Sequence, residues 1–173
     1  EIAVSLAYRA GDQGTLFAHG DQGSGYGLYV RDGRLVYLHN DGRGHVRELD
    51  GGELADGASS IVVRKEAPGG NVWTVHLSVD GDEVGVLEGV PMLYGMAPFQ
   101  GIDVGIDRRS PVSWDLYERF GPFPFTGDLR VGAGVGVRYY TAIGPIRADI
   151  AVPRVKQSGT DAFQLYIGIG QAF

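Results

Sequence analysis

Three carboxylates spaced Glu48-x-Asp50-x-x-Glu53 come nearest to a reactive arrangement in this sequence. Two carboxyl groups held a few ångströms apart on one strand can cleave a glycosidic bond, one as nucleophile and one as acid. The Gly51-Gly52 pair between them reads as a turn, which would make the same residues a solvated acidic loop. The four histidines, His19, His39, His45 and His76, have no H-E-x-x-H spacing, so no zinc centre is expected. Asp103, Asp107 and Asp115, with Asp32, offer the oxygen donors that calcium prefers, but no EF-hand pattern collects them. The expectation is no cofactor, with calcium as the single candidate. "GDQGSGYG" and "GAGVG" lack the following helix that a phosphate cradle requires. There is no cysteine, which excludes disulfides and thiol nucleophiles.

Binding is a different matter from catalysis. Tyr26, Tyr29, Tyr37, Trp73 and Trp114 could form a sugar-stacking face on a sheet. Trp73 sits in an alternating apolar strand and is expected in a core. Trp114, between Ser113 and Asp115, reads as an exposed loop residue. Trp114, Tyr26 and Tyr29 are therefore the candidate ligand-binding residues, with carbohydrate as the expected ligand.

These residues must be positioned by strands. "EIAVSLAYR" alternates Ile2, Val4, Leu6 and Tyr8 against polar neighbours. "GYGLYVRDGRLVYLHN" is two strands around an Asp32-Gly33 turn, and "NVWTVHLSVDGDEVGVLEG" repeats the device at Asp80-Gly81. "SIVVRKE", "GIDVGID" and "FTGDLRV" supply more, and almost nothing is helical by pattern. The fold class is all-β: an antiparallel, jelly-roll-like β-sandwich. A chain of 173 residues buries a real core without staples. Its net charge of −6 argues against nucleic acid as a partner.

From Arg130 the pattern changes. Leu129, Val131, Ala133, Val135, Val137 and Tyr139 share one face of a long strand, opposite Arg130, Gly132, Gly134, Gly136 and Arg138. Ile146, Ala148, Ile150 and Val152 follow after a short turn, then Phe163, Leu165, Ile167 and Ile169 after a longer polar loop. Membrane β-strands show this apolar-out, small-or-polar-in alternation over about 9–11 residues. Tyr139, Tyr140 and Phe173 fall at one end of the set, where an aromatic girdle would lie. The stretch carries a net charge of +3 and leaves −9 for the rest, a sign of two pieces with different histories. The first residue, a glutamate, reads as the start of a trimmed segment.

Two resemblances attach to these residues. "GYGLYVRDGRLVYLHN", "VHLSVDGDEVGVLEGVP" and "GIDVGIDRRSPVSWDLYERFGPFPFTGDL" resemble the C-terminal β-sandwich domain of bacterial arylsulfatases, which is concanavalin/laminin-G-like. That resemblance implies a non-catalytic accessory domain, in contact with glycan or with a sulfatase catalytic domain. The formylglycine motif C/S-x-P-x-R is absent, so no enzyme is expected; "RRSPVS" lacks its arginine. Laminarinase-like glycoside hydrolases, which use the E-x-D-x-x-E spacing, are the unlikely alternative, since the sulfatase likeness puts this stretch in a variable loop. "VGAGVGVRYYTAIGPIRADIAVP" and "YIGIGQAF" resemble the last three strands of TamA-type outer-membrane assembly barrels. That resemblance implies an outer-membrane signal in Leu165, Ile167, Ile169 and Phe173, read by the barrel-assembly machinery.

The expected division is 1–129, the sandwich, and 130–173, a three-stranded β-meander of outer-membrane barrel type. The expected place is the bacterial cell envelope, periplasm or outer membrane. The leading functional expectation is a sulfatase-type accessory domain carrying an outer-membrane targeting tail; the alternative is a fragment of an outer-membrane protein-assembly barrel. The join raises a conflict. One strand would have to close a sandwich core and face lipid along the same residues.

Overall fold

The computed structural model describes residues 1–93, 100–141, 144–153 and 164–169, with side chains described up to residue 132. Every strand pairing within its two sheets is antiparallel, as the alternation predicts. The strands are β1 (Ile2–Leu6), β2 (Gly14–Asp21), β3 (Ser24–Arg31), β4 (Arg34–Asn40), β5 (Val46–Glu53), β6 (Ser60–Gly69), β7 (Val72–Val79) and β8 (Asp82–Pro91). After them come β9 (Ile102–Val104), the helix α1 (Trp114–Phe120), β10 (Leu129–Thr141), β11 (Gly144–Pro153) and β12 (Gln164–Ile169). One sheet runs β12-β11-β10-β1-β6-β7-β8 and the other β5-β4-β3-β2-β9.

The hairpin turns fall where the Asp-Gly pairs stand. Asp32 and Gly33 both take positive φ, 52° and 74°, and Asp80 and Gly81 repeat this at 49° and 96°. That left-handed pair matches the right-handed twist of the strands it joins. Between the sheets lies the main core, which includes Val4, Leu16, Phe17, Leu28, Leu35, Tyr37, Ile61, Val63, Val75, Leu77 and Val131. Burying a side chain of this size stabilises the fold by about 1.5–3 kcal/mol.

A third layer covers the outer face of the five-stranded sheet. Ala18, Tyr29, Val36 and Leu38 point outward from that sheet and meet Val112 and Phe123, with Leu116 and Phe120 of α1 packed against them. Phe120 and Phe123 stack at 4.5 Å. Trp114 is thus a helix residue and not a loop residue. Ser113 caps the helix, its Oγ accepting from the Leu116 N–H at 3.3 Å. Seven residues are too short for periodicity to announce a helix.

The stretch "ELDGGE" is a strand rather than a loop or turn. It forms most of β5, paired with β4 from Asn40↔Val46 to Arg34↔Glu53 around a bulge. A Cβ on Gly51 would lie 2.7 Å from Leu77 Cδ2 of the opposite sheet, so glycine there permits close approach of the sheets. Gly14 answers a similar demand at β2, where a Cβ would meet the Pro124 carbonyl at 2.3 Å. "PFPFTG" passes over that point.

Candidate functional site

The carboxyl end of the fold is a meander built on one shared strand. β10 faces β1 only over its first five residues, from Leu6↔Leu129 to Ile2↔Ala133. It faces β11 from Gly132↔Pro153 to Thr141↔Gly144. The conflict at the join is therefore divided lengthwise: Val131 closes the sandwich core at 4% exposure, and the remainder of β10 belongs to the meander. The expected boundary at Leu129–Arg130 lies inside this continuous strand.

β11 pairs in turn with β12, which brings Ile150 opposite Leu165, Ala148 opposite Ile167 and Ile146 opposite Ile169. The three residues expected to carry the signal that fall in the described chain, Leu165, Ile167 and Ile169, thus occupy alternate positions of β12. Phe173 lies outside the described residues. Among the described residues β12 has β11 on one side and no strand on the other, so it presents an open row of backbone donors and acceptors. Such an edge can accept another strand by main-chain hydrogen bonding.

A second constellation occupies one end of the inter-sheet space. Lys65 follows Ile61 and Val63 on the inward face of β6, and its Nζ lies 2.8 Å from the centre of the Tyr26 ring, 4.5 Å from Trp73 and 5.8 Å from Tyr37. Tyr26 and Tyr37 stack at 6.4 Å, and His39 meets Trp73 edge-on at 6.3 Å. The Tyr26 hydroxyl is hydrogen-bonded to His19 Nδ1 at 2.8 Å. Among the described residues Lys65 Nζ and the Tyr37 hydroxyl are buried without a hydrogen-bond partner, and the His39 ring bonds to the Pro91 backbone. Burial drives the Lys65 amine well below its ordinary pKa. Burial and the Lys65 charge push His39 down to about 4, burial raises the Tyr26 phenol to about 12, and burial also raises the Tyr37 phenol well above its ordinary value.

The candidate ligand-binding residues are not gathered on one face. Tyr26 points into the inter-sheet space and Tyr29, three residues along the same strand, into the outer layer. Tyr29 is 2% exposed, and its hydroxyl donates to Glu48. Trp114 stands half exposed, at 51%, with its ring edge-on to Tyr117 at 5.7 Å. The stacking platform expected of the three is divided among interior, layer boundary and surface.

Carboxylates and histidines are similarly dispersed. Glu48 is engaged by Tyr29 and by Arg31 at 3.6 Å, and Asp50 by Arg34 at 2.8 Å, which holds its carboxyl below the usual range. Neither lines a cleft with Glu53, which is exposed at the end of β5. Asp103 accepts from the Arg108 N–H and Asp107 from the Val112 N–H, while Asp32 lies in the β3–β4 turn and Asp115 in α1. Among the described residues no group of three or more such side chains is placed to hold a metal ion. His76 on the outer face lies 2.8 Å from Glu83 and 3.7 Å from Glu66, and His45 pairs with Asp41. Sequence reasoning missed Lys65. The signal was available, since 61, 63 and 65 share one parity, and that alternation carries a lysine inward.

Comparison with known families bears on the end of the chain. Residues 102–173 match the Omp85 superfamily domain. The match begins at β9, takes in α1 and "PFPFTG", and runs through the meander, so it crosses the expected boundary at residue 129. It supports the likeness to outer-membrane assembly barrels. The sulfatase likeness gains no support, and its most specific stretch falls largely inside the Omp85 match. Omp85 superfamily proteins belong to the bacterial outer membrane and periplasmic envelope, and this chain is a protein of that envelope. The superfamily is not an enzymatic one.

Proposed function

We propose that this chain is part of an outer-membrane protein-assembly barrel of TamA type, and that β12 is the strand the barrel-assembly machinery reads. The observation that carries this reading is the Omp85 match, which extends through the open-edged final strand to Phe173. Leu165, Ile167 and Ile169 stand at alternate positions of β12. Three strands do not close a barrel, and an unpaired edge in lipid costs several kcal/mol per orphaned backbone group. The remaining strands of the barrel therefore come from outside β10–β12.

The reading makes the machinery a partner at a known place. A photo-crosslinking residue at Tyr166 of the full chain, expressed in cells that hold the machinery, is expected to capture one of its subunits. Phe173→Ala is expected to cut that product severalfold. Capture that ignores Phe173, or no capture at all, overturns the assignment of β12.

A further inference from the structure

We propose that a small cavity beneath α1 is a binding site for one ordered water, shared by Thr15, Asp107 and Ser113, which joins the outer layer to β2. The cavity follows from the strand register. Ala18 of β2 stands opposite Gly27 of β3, and Gly27 stands opposite Leu38 of β4. Two such small residues side by side leave a dent in the outer face of the sheet, which Val112 and Leu116 cover without filling. About 10 Å³ remains, close to the least that admits a single water molecule.

Three polar side chains line this same space: Thr15 from the sheet, Asp107 from the segment after β9, and Ser113 from the start of α1. All three are buried. Among the described residues the Thr15 hydroxyl has no hydrogen-bond partner. Asp107 Oδ2 accepts the Val112 N–H at 2.9 Å, and Ser113 Oγ accepts the Leu116 N–H at 3.3 Å. The carboxylate thus keeps lone pairs to offer, and the Ser113 hydroxyl keeps a proton to donate.

A water here donates to the carboxylate and bonds to both hydroxyls, the three-partner setting typical of buried water. The same walls disfavour a metal ion. Calcium and magnesium gather about six oxygens or more, and beyond these three side chains the lining is largely apolar, with Ala18, Leu38, Val112 and Leu116. Position gives the water its role. Thr15 lies outside the Omp85 match, whereas Asp107 and Ser113 lie inside it. The water is therefore a polar joint between the matched segment and the strand it covers. It adds to the direct bonds from Thr15 N–H to the Phe123 carbonyl at 2.8 Å and from Gly105 N–H to the Leu16 carbonyl at 3.0 Å. None of the three side chains belongs to β10–β12, so the joint does not depend on the outer-membrane reading.

Thr15→Val keeps the shape and strand preference of the side chain and removes its hydroxyl, so the sign of its effect tests the joint. With the water in place the variant loses a hydrogen bond, and the full chain in mild detergent is expected to melt about 2–4 °C lower. A hydroxyl buried without a partner would instead be improved on by a methyl group, so an unchanged or higher melting temperature would overturn the proposal. Electron density from crystals of the full chain is the second readout. A peak within about 2.7–3.2 Å of an oxygen of each of the three side chains is expected, and an empty cavity would overturn the proposal. Wild-type melts that differ among sodium, potassium and ammonium chloride at equal concentration, and that coincide in Thr15→Val, would put a cation in the cavity and overturn it as well.

Discussion

At the scale of single residues, Asp107 shows how burial turns a charge into a pH dependence. It lies beneath the outer layer at 7% exposure, where its carboxylate accepts the Val112 N–H at 2.9 Å. Burial raises its pKa from 3.8 to about 6; the Val112 N–H opposes the shift and the Asp103 charge adds to it. The folded state then binds the proton more tightly than the unfolded state does, so stability falls as pH rises from about 4 to about 6 and stays low above. His39 works in the opposite sense: held neutral down to about 4, it contributes stability above its ordinary pKa of 6.5 that is lost on acidification. Asp107→Asn keeps an acceptor for Val112 and removes the buried charge. We expect it to stabilise the chain at pH 7.5 by about 2 kcal/mol and to leave it nearly unchanged at pH 4. Urea melts at the two pH values check this, and an equal effect at both would show that the hydrogen bond, not the charge, governs the site.

At the scale of elements, legibility followed the regularity of the signal. The Asp32-Gly33 and Asp80-Gly81 hairpins were readable because turn chemistry and alternation agreed on both sides. β2 was not, because "GTLFAHGD" is buried on both faces and shows no polar alternation. β5 was misread because Gly51-Gly52 carries the composition of a turn, yet Gly51 is glycine for contact with Leu77. The alternation located the long strand of the tail but not its division between β1 and β11, since partner choice is a tertiary matter. The same division gives a test. A chain ending at Leu129 loses Val131 and leaves β1 with β6 as its only neighbour over Ile2–Ser5. A chain ending at Gly134 keeps both. The shorter form is expected to be less stable by about 2–4 kcal/mol, the sum of a lost core side chain and lost ladder bonds. Calorimetric melts of the pair decide it. Equal melting would mean that β10 contributes nothing to the sandwich.

At the scale of the whole molecule, the two sheets end differently. β5 and β8 close one side of the sandwich, and both carry the devices that blunt an edge: bulges in each pairing, and exposed Glu83, Glu88 and Arg47. The other end of the seven-stranded sheet is β12, a run of "QLYIGI" with no charged residue and, among the described residues, no outer neighbour. Of the charged residues of the final stretch, none falls on β12 itself. An apolar, uncharged edge of this kind pairs with whatever strand it meets. In water that is another copy of the chain; under the function proposed above, in the envelope it is the rest of a barrel or the machinery that builds one. The full chain is therefore expected to elute as higher oligomers in detergent-free buffer and as a single species in mild detergent. Ile167→Lys, which sets a charge in the middle of β12, is expected to shift the detergent-free profile toward monomer. Light scattering on the eluting peaks measures both. A wild-type chain that stays monomeric without detergent would mean that the β12 edge is covered in water, and the case for it as a strand-pairing surface would fail.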